Sequence, residues 1–397
     1  MIEYLLLCAL GILAGTVTGL IPGIHINLLS VLIVSFSAYL LEFVDGLSLG
    51  VFVMSMSVTH TFLDSIPSIF LGCPDADQAL GVLPGHKLLL RGFGFGAVHL
   101  TLIGSLFGLI FSIALFPILI NIVFIIYPLI KNLIGWMLVI VVTYMIFREK
   151  NRLTAGLIFL YSGILGLIIL NIPNLNNPLF PLLSGLFGVS SLILSLNDKV
   201  KIPMQRFSKL KLKKSVLVRA VSASGFAGFL TSFMPGLGPA QGAVVAQSIS
   251  GKIGDKGFLV LIGGLNTVNM ILSLVTFYVL DKARNGSVIA LSKLIEIDVS
   301  SIIIILISIL FAGIISFFWA QILTRFFSHI VENINYVVLS STIIFLIFLL
   351  TIFLSGWVGL VVLFTASFAG LLAPLNNVSR SHAMGCLMLP VIIYFLL

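Results

Sequence analysis

Charge is what this chain has least of. Asp, Glu, Lys and Arg make up 9% of its 397 residues while 59% are hydrophobic, against about 25% charged residues in an ordinary soluble domain. A chain this apolar has too little polar surface to cover a water-soluble globule. Cysteine is nearly lacking as well: Cys8, Cys73 and Cys386 are scattered through apolar sequence and show neither disulfide nor metal-site spacing. No basic n-region or small-residue cleavage site marks the opening MIEYLLLCALGILAGTVTGL, which reads as a retained helix. No nucleophile elbow, zinc-protease pattern or phosphate-binding loop occurs, and GFGFG at 92–96 lacks βαβ context. These gaps argue against an enzyme. The net charge of +8 fits basic loops facing anionic lipid better than it fits nucleic acid.

What the chain has is long apolar runs. A membrane-spanning helix needs roughly 20 mostly apolar residues, and the sequence offers about ten such stretches. The short alternating runs of a β-barrel do not occur, so the expected fold is an all-α, polytopic transmembrane bundle in the cell membrane. Eight of the 21 Lys and Arg residues fall between Lys199 and Arg219. This basic stretch divides the chain into a first membrane repeat (1–197), a linker (198–215) and a second membrane repeat (216–397). The positive-inside rule makes the linker cytoplasmic. The cluster Arg148-Glu-Lys150-Asn-Arg152 lies an even number of spans earlier and therefore on the same side.

The two halves share an element. A shift of 213 residues places Gly15, Thr18, Pro22 and Gly23 on Gly228, Thr231, Pro235 and Gly236. Proline removes a backbone donor and glycine admits conformations closed to other residues, so each Pro-Gly breaks its helix in the membrane. The new helix that starts beyond it has unpartnered N–H groups and a positive dipole end, a ready anion site. The residues marked as substrate-binding are Pro22, Gly23, His25 and Asn27 in the first half, and Pro235, Gly236, Gly238 and Gln241 in the second. The first copy begins outside and the second at the cytoplasmic linker, so the halves form an inverted repeat with broken or re-entrant helices, an architecture of secondary transporters.

Other polar groups sit between apolar runs. His60 and Asp64 are spaced i, i+4, on one helix face. They either bind a coupling proton or sodium ion or neutralise one another. The corresponding stretch of the second half carries Asn266 and Asn269, which either coordinate substrate or join helices. Gly72–Lys87 is too polar to span and too apolar for a free loop, so it reads as a re-entrant or interfacial segment. Its Asp75 and Asp77 suit a turn or cap. Arg380 either pairs with a substrate carboxylate or snorkels to the interface. No metal site and no cofactor beyond a coupling Na+ or H+ is expected.

These residues resemble the large permease subunit of tripartite tricarboxylate transporters, the TctA family, in its archaeal branch. The resemblance rests on the duplicated elements Gly15–Gly23 and Gly228–Gly236. It extends to Ile66–His86, the Asn-Thr-Val-Asn stretch at 266–269, Lys282–Gly286 and SRSHAMG at 379–385. In the first Pro-Gly, His25-Ile-Asn27 replaces the family's small residues and proline. What the resemblance implies is a permease for citrate-like anions driven by an ion gradient, with substrate held between the two Pro-Gly hairpins. The implied partners are a small membrane subunit and an extracytoplasmic binding protein; a homodimer is a further expectation. A second reading, a translocase for a polyprenyl phosphate lipid carrier, would use the same paired helix ends on an anion. A lateral opening to lipid separates it from the first.

Overall fold

The computed structural model describes residues 2–21, 26–72, 76–197, 203–208, 210–234, 238–282, 285–332 and 336–396. Where water is excluded, every backbone N–H and C=O must find its partner within its own segment, so apolar runs fold as helices. No strand occurs among the described residues.

The first half holds α1 (Ile2–Leu20), α2 (Ile26–Ser35), α3 (Ser37–Leu40), α4 (Gly46–Leu63), α5 (Ser65–Phe70), α6 (Val82–Leu89) and α7 (Gly94–Ile130). It continues with α8 (Ile134–Arg148), α9 (Arg152–Leu170), α10 (Leu179–Leu183) and α11 (Ser190–Asn197). The second half holds α12 (Lys214–Phe233), α13 (Pro239–Ser250), α14 (Gly254–Leu280) and α15 (Gly286–Leu294). It ends with α16 (Val299–Glu332), α17 (Tyr336–Leu375) and α18 (Gly385–Leu396). Within α17, Gly356 has a φ of +66° and joins two helical arms. Few residues other than glycine adopt that conformation.

Eight helices among the described residues are long and apolar enough to cross a membrane, with shorter apolar helices at Gly135–Arg148, Leu179–Leu194 and Arg380–Leu396. The chain is a multi-pass membrane protein. Two spans form its centre: in the 18-residue apolar stretch of Gly46–Phe70 83% of the residues are buried and in that of Gly254–Leu280 89%, against 28–44% in the other six. Without a hydrophobic drive between helices in lipid, association depends on close packing and interhelical hydrogen bonds. Glycine supplies the close packing. A Cβ on Gly104 of α7 would overlap the Val260 carbonyl of α14, and one on Gly263 of α14 would overlap the Thr101 carbonyl of α7. Gly11, Gly15 and Gly19 line α1 where it meets Phe52–Asp64.

A shift of 213 residues carries the end of α1 at Leu20 onto the end of α12 at Phe233. The hydrogen bonds entering each break match as well. Thr18 Oγ1 donates to the Gly15 carbonyl at 3.2 Å and Thr231 Oγ1 to the Gly228 carbonyl at 3.2 Å. Ile21 N donates to the Val17 carbonyl at 3.1 Å and Met234 N to the Leu230 carbonyl at 3.0 Å.

Contacts between the halves are also reciprocal. The return helix α2 packs on α15 of the second half, and α13 packs on the 3-10 turn Ala76–Gly81 of the first. Likewise α9 packs on α18, while the π-helical turn Ser184–Val189 packs on α17.

The linker is pinned rather than free. At 203–208 and 210–213 the chain is not helical. Buried Gln205 accepts from Gly94 N at 2.8 Å and donates to the Leu89 carbonyl at 3.1 Å, while Arg206 N donates to the Gly92 carbonyl at 2.8 Å.

The glycine contacts give a direct test. Gly104→Leu should prevent a monodisperse protein in detergent, because overpacking against a carbonyl of a fixed helix costs about 3 kcal/mol or more. Gly156→Ala meets only Ile146 at 4.0 Å and should leave the melting temperature within about 2 °C of the parent. Equal behaviour of the two variants in size-exclusion and thermal unfolding would contradict the packing.

Candidate functional site

The polar groups at the centre of the bundle converge where α4 and α14 cross. Asp64 follows α4, where the chain turns into α5, and is 2% exposed. Its Oδ1 accepts from Gln78 Nε2 at 3.0 Å and its Oδ2 from Asn266 Nδ2 at 2.6 Å. A buried carboxylate demands such donors, because leaving it bare costs far more than the hydrogen bonds contribute. One ligand of this carboxylate comes from each half of the chain. Around it lies a ladder of hydroxyls. Thr61 and Thr267 meet at 3.2 Å, Thr101 donates to Ser65 at 2.9 Å, and Ser316 donates to Thr59 at 2.9 Å. His60 Nδ1 lies 3.1 Å from Thr18 Oγ1, beside the first helix break.

The structure thus brings Asp64 and Asn266 together at one crossing, while His60 faces Thr18 of α1. Asn269 is half-buried one turn beyond Asn266, and among the described residues its side chain makes no hydrogen bond. At the second break, Gly238 N donates to Gln241 Oε1 at 3.0 Å, so this carboxamide caps the start of α13. Proline at the first position of α13 suits that start, since its missing N–H would be unpartnered there anyway. Pro22, Gly23, His25, Pro235 and Gly236 lie outside the described residues, as does the side chain of Asn27.

Arg219 Nη2, in the second turn of α12, donates to the Lys252 carbonyl at 3.3 Å. α13 runs over 12 residues and brings the chain back beside the start of α12, so α12 and α13 pack together as a helical hairpin.

A cavity of about 460 Å³ opens at the foot of that hairpin. Its walls come from Ala79–Pro84 of the first half, Gln247–Phe258 of the second, and the turn at Ser379–Ser381, and it carries Arg148 and Lys252 at exposed positions. Lys87 and Asp255 form an ion pair across it at 3.1 Å. A neighbouring cavity of about 300 Å³ shares Arg148, Gln247, Ser379 and Ser381, and adds Glu149 and His382. Gln78 belongs to the same turn as Ala79 and Leu80, so one short segment touches both the Asp64 centre and the cavity wall. No group of three His, Cys, Asp or Glu residues suited to a metal occurs among the described residues.

Reading the residues alone missed Gln78 as a partner of Asp64. The signal was the segment around it, too polar to span, in which the neighbouring acids drew the attention. Arg380 is settled as buried, 8% exposed, and does not snorkel.

The sequence pattern of the tripartite tricarboxylate transporter TctA family matches residues 5–385. An uncharacterized protein of Methanocaldococcus jannaschii is 32% identical over 405 residues, covering 99% of each chain. No solved structure matches the chain.

The Asp64 centre predicts a swap experiment. Asp64→Asn leaves two amides competing for one acceptor and should lower stability by about 2 kcal/mol. Adding Asn266→Asp returns one carboxylate to the crossing and should recover most of that loss in thermal unfolding. Additive destabilisation in the double variant would show that the two side chains are not coupled.

Proposed function

The chain belongs to the tripartite tricarboxylate transporter TctA family, and we propose that it is a secondary-active permease carrying a di- or tricarboxylate across the cell membrane. The observation that carries this reading is the pair of register-matched helix breaks flanking the buried Asp64–Asn266 contact between the halves. A helix that starts in the interior offers N–H donors already aimed and held, so a carboxylate met there replaces its water shell at little reorganisation.

The halves enter the membrane from opposite faces, with the linker cytoplasmic, and alternating access is one half rocking against the other. Pro22, Gly23, His25 and Asn27 hold the substrate from one side, and Pro235, Gly236, Gly238 and Gln241 from the other. Asn266 and Asn269 lie between. His60 and Asp64 supply the coupling: a proton or sodium ion arriving at the carboxylate loosens its hold on Asn266 and Gln78. That changes the contact between the halves, which is how an ion bound at one point biases a two-state element. A small membrane subunit and an extracytoplasmic binding protein complete the system, as the tripartite family name implies, and a homodimer is a natural assembly.

The test is uptake of labelled citrate and succinate into proteoliposomes under imposed sodium or proton gradients. The parent chain should accumulate at least one of them, and Asp64→Asn should lose the dependence on the driving ion while still exchanging substrate. Failure with every carboxylate, together with protein-dependent flipping of a polyprenyl phosphate, would overturn the reading in favour of the lipid carrier.

A further inference from the structure

Arg380 stands at the wall of the 460 Å³ cavity with its guanidinium half used. Nη1 donates to the Phe187 carbonyl and to Ser190 Oγ, each at 3.4 Å, and to Ser191 Oγ. All three acceptors are neutral. Nε is buried and has no acceptor, and Nη2 makes no hydrogen bond among the described residues. No ion pair of Arg380 occurs among those residues either. A guanidinium this deep is normally matched by a carboxylate, because an unpaired buried charge is costly.

The unused edge has a particular shape. Nε–H and one N–H of Nη2 are parallel and coplanar, the fork that receives both oxygens of a carboxylate. Further out, Arg148 and Lys252 are exposed on the same cavity, and the acid nearest them on its wall, Asp255, is engaged by Lys87. Glu149 is engaged too: it accepts from Ser379 N at 3.1 Å and lies 3.4 Å from His382 Nε2. Three cations therefore face a space sized for a small organic acid.

We propose that this cavity is a second carboxylate site, distinct from the helix breaks, in which the Arg380 guanidinium meets one carboxylate while Lys252 and Arg148 meet the others. The inference rests on the carboxylate permease reading. It adds a way station on the linker face of the protein, where an anion leaving the helix breaks is held before release. It also gives a reason for the turn Ser379–Ser381. Ser379 Oγ accepts from Ser381 N at 3.4 Å, which fixes the backbone that carries Arg380.

The experiment is citrate binding to the purified full chain in nanodiscs at low ionic strength, followed by calorimetry and by the ligand-induced rise in melting temperature. Arg380→Gln should weaken citrate binding on the order of 10- to 100-fold, the range for losing charge-assisted hydrogen bonds. Arg380→Lys keeps the charge, guards against a variant that fails to fold, and should still lose about 10-fold because it has no parallel donor pair. Lys252→Gln should weaken binding about 3-fold, an effect that disappears at high salt. Unchanged citrate affinity in a folded Arg380→Gln or Arg380→Lys protein would overturn the second site. If the parent transports citrate and these variants bind it normally, only this inference fails. If the parent neither binds nor transports any carboxylate, the permease reading fails with it. Arg380-dependent binding of a polyprenyl phosphate without citrate binding would overturn the assignment to a small acid.

Discussion

A carboxylate buried in an apolar bundle has to be answered from inside the bundle, and Asp64 is answered by both halves of this chain. Gln78 holds one oxygen and Asn266 the other. The Gln78 contact lies within the first half, while the Asn266 contact exists only when the two halves are together. The helices that carry it, α4 and α14, are for the same reason the most enclosed of the eight long spans. Everything less buried is arranged around that crossing. The glycine seams of α1 on α4 and of α7 on α14 bring the backbones near enough for short polar side chains to reach across.

The second organising fact is repetition. α1 and α12 end in the same register and share a Thr-to-carbonyl hydrogen bond just before their ends. A threonine hydroxyl bonded three residues back competes with the helical ladder and bends it, so each break is prepared a turn ahead. The return helices then seat on short segments of the opposite half, α2 on α15 and α13 on the turn at Ala76–Gly81. Each return helix is thereby held by direct contact with the opposite half.

Much of this was legible in the residues. Apolar runs declared the helices, because local backbone chemistry acts over a few residues. Asp64, His60 and Asn266 stood out because polar groups are expensive at membrane depth. Their partners did not. Asp64 and Asn266 are 202 residues apart, and the carboxylate offers no local sign of which amide it will meet. The docked linker was hidden for a related reason: Gln205 looks like one more polar residue in a charged stretch, yet it is buried against the carbonyl of Leu89. Arg380 could be read either way from sequence, since a snorkelling and a buried arginine have the same neighbours in the chain. Only the packing of Ser190 and Ser191 against it decides.

The central claim is that an anion is held where the second half's helix restarts. It is tested most directly by a single cysteine at Gly238, in a chain whose Cys8, Cys73 and Cys386 are replaced by serine. The rate of labelling by a membrane-impermeant maleimide is followed with and without citrate. The account predicts labelling from the linker side that saturating citrate slows about 10-fold or more. A rate unaffected by citrate in a protein that transports it would contradict the account.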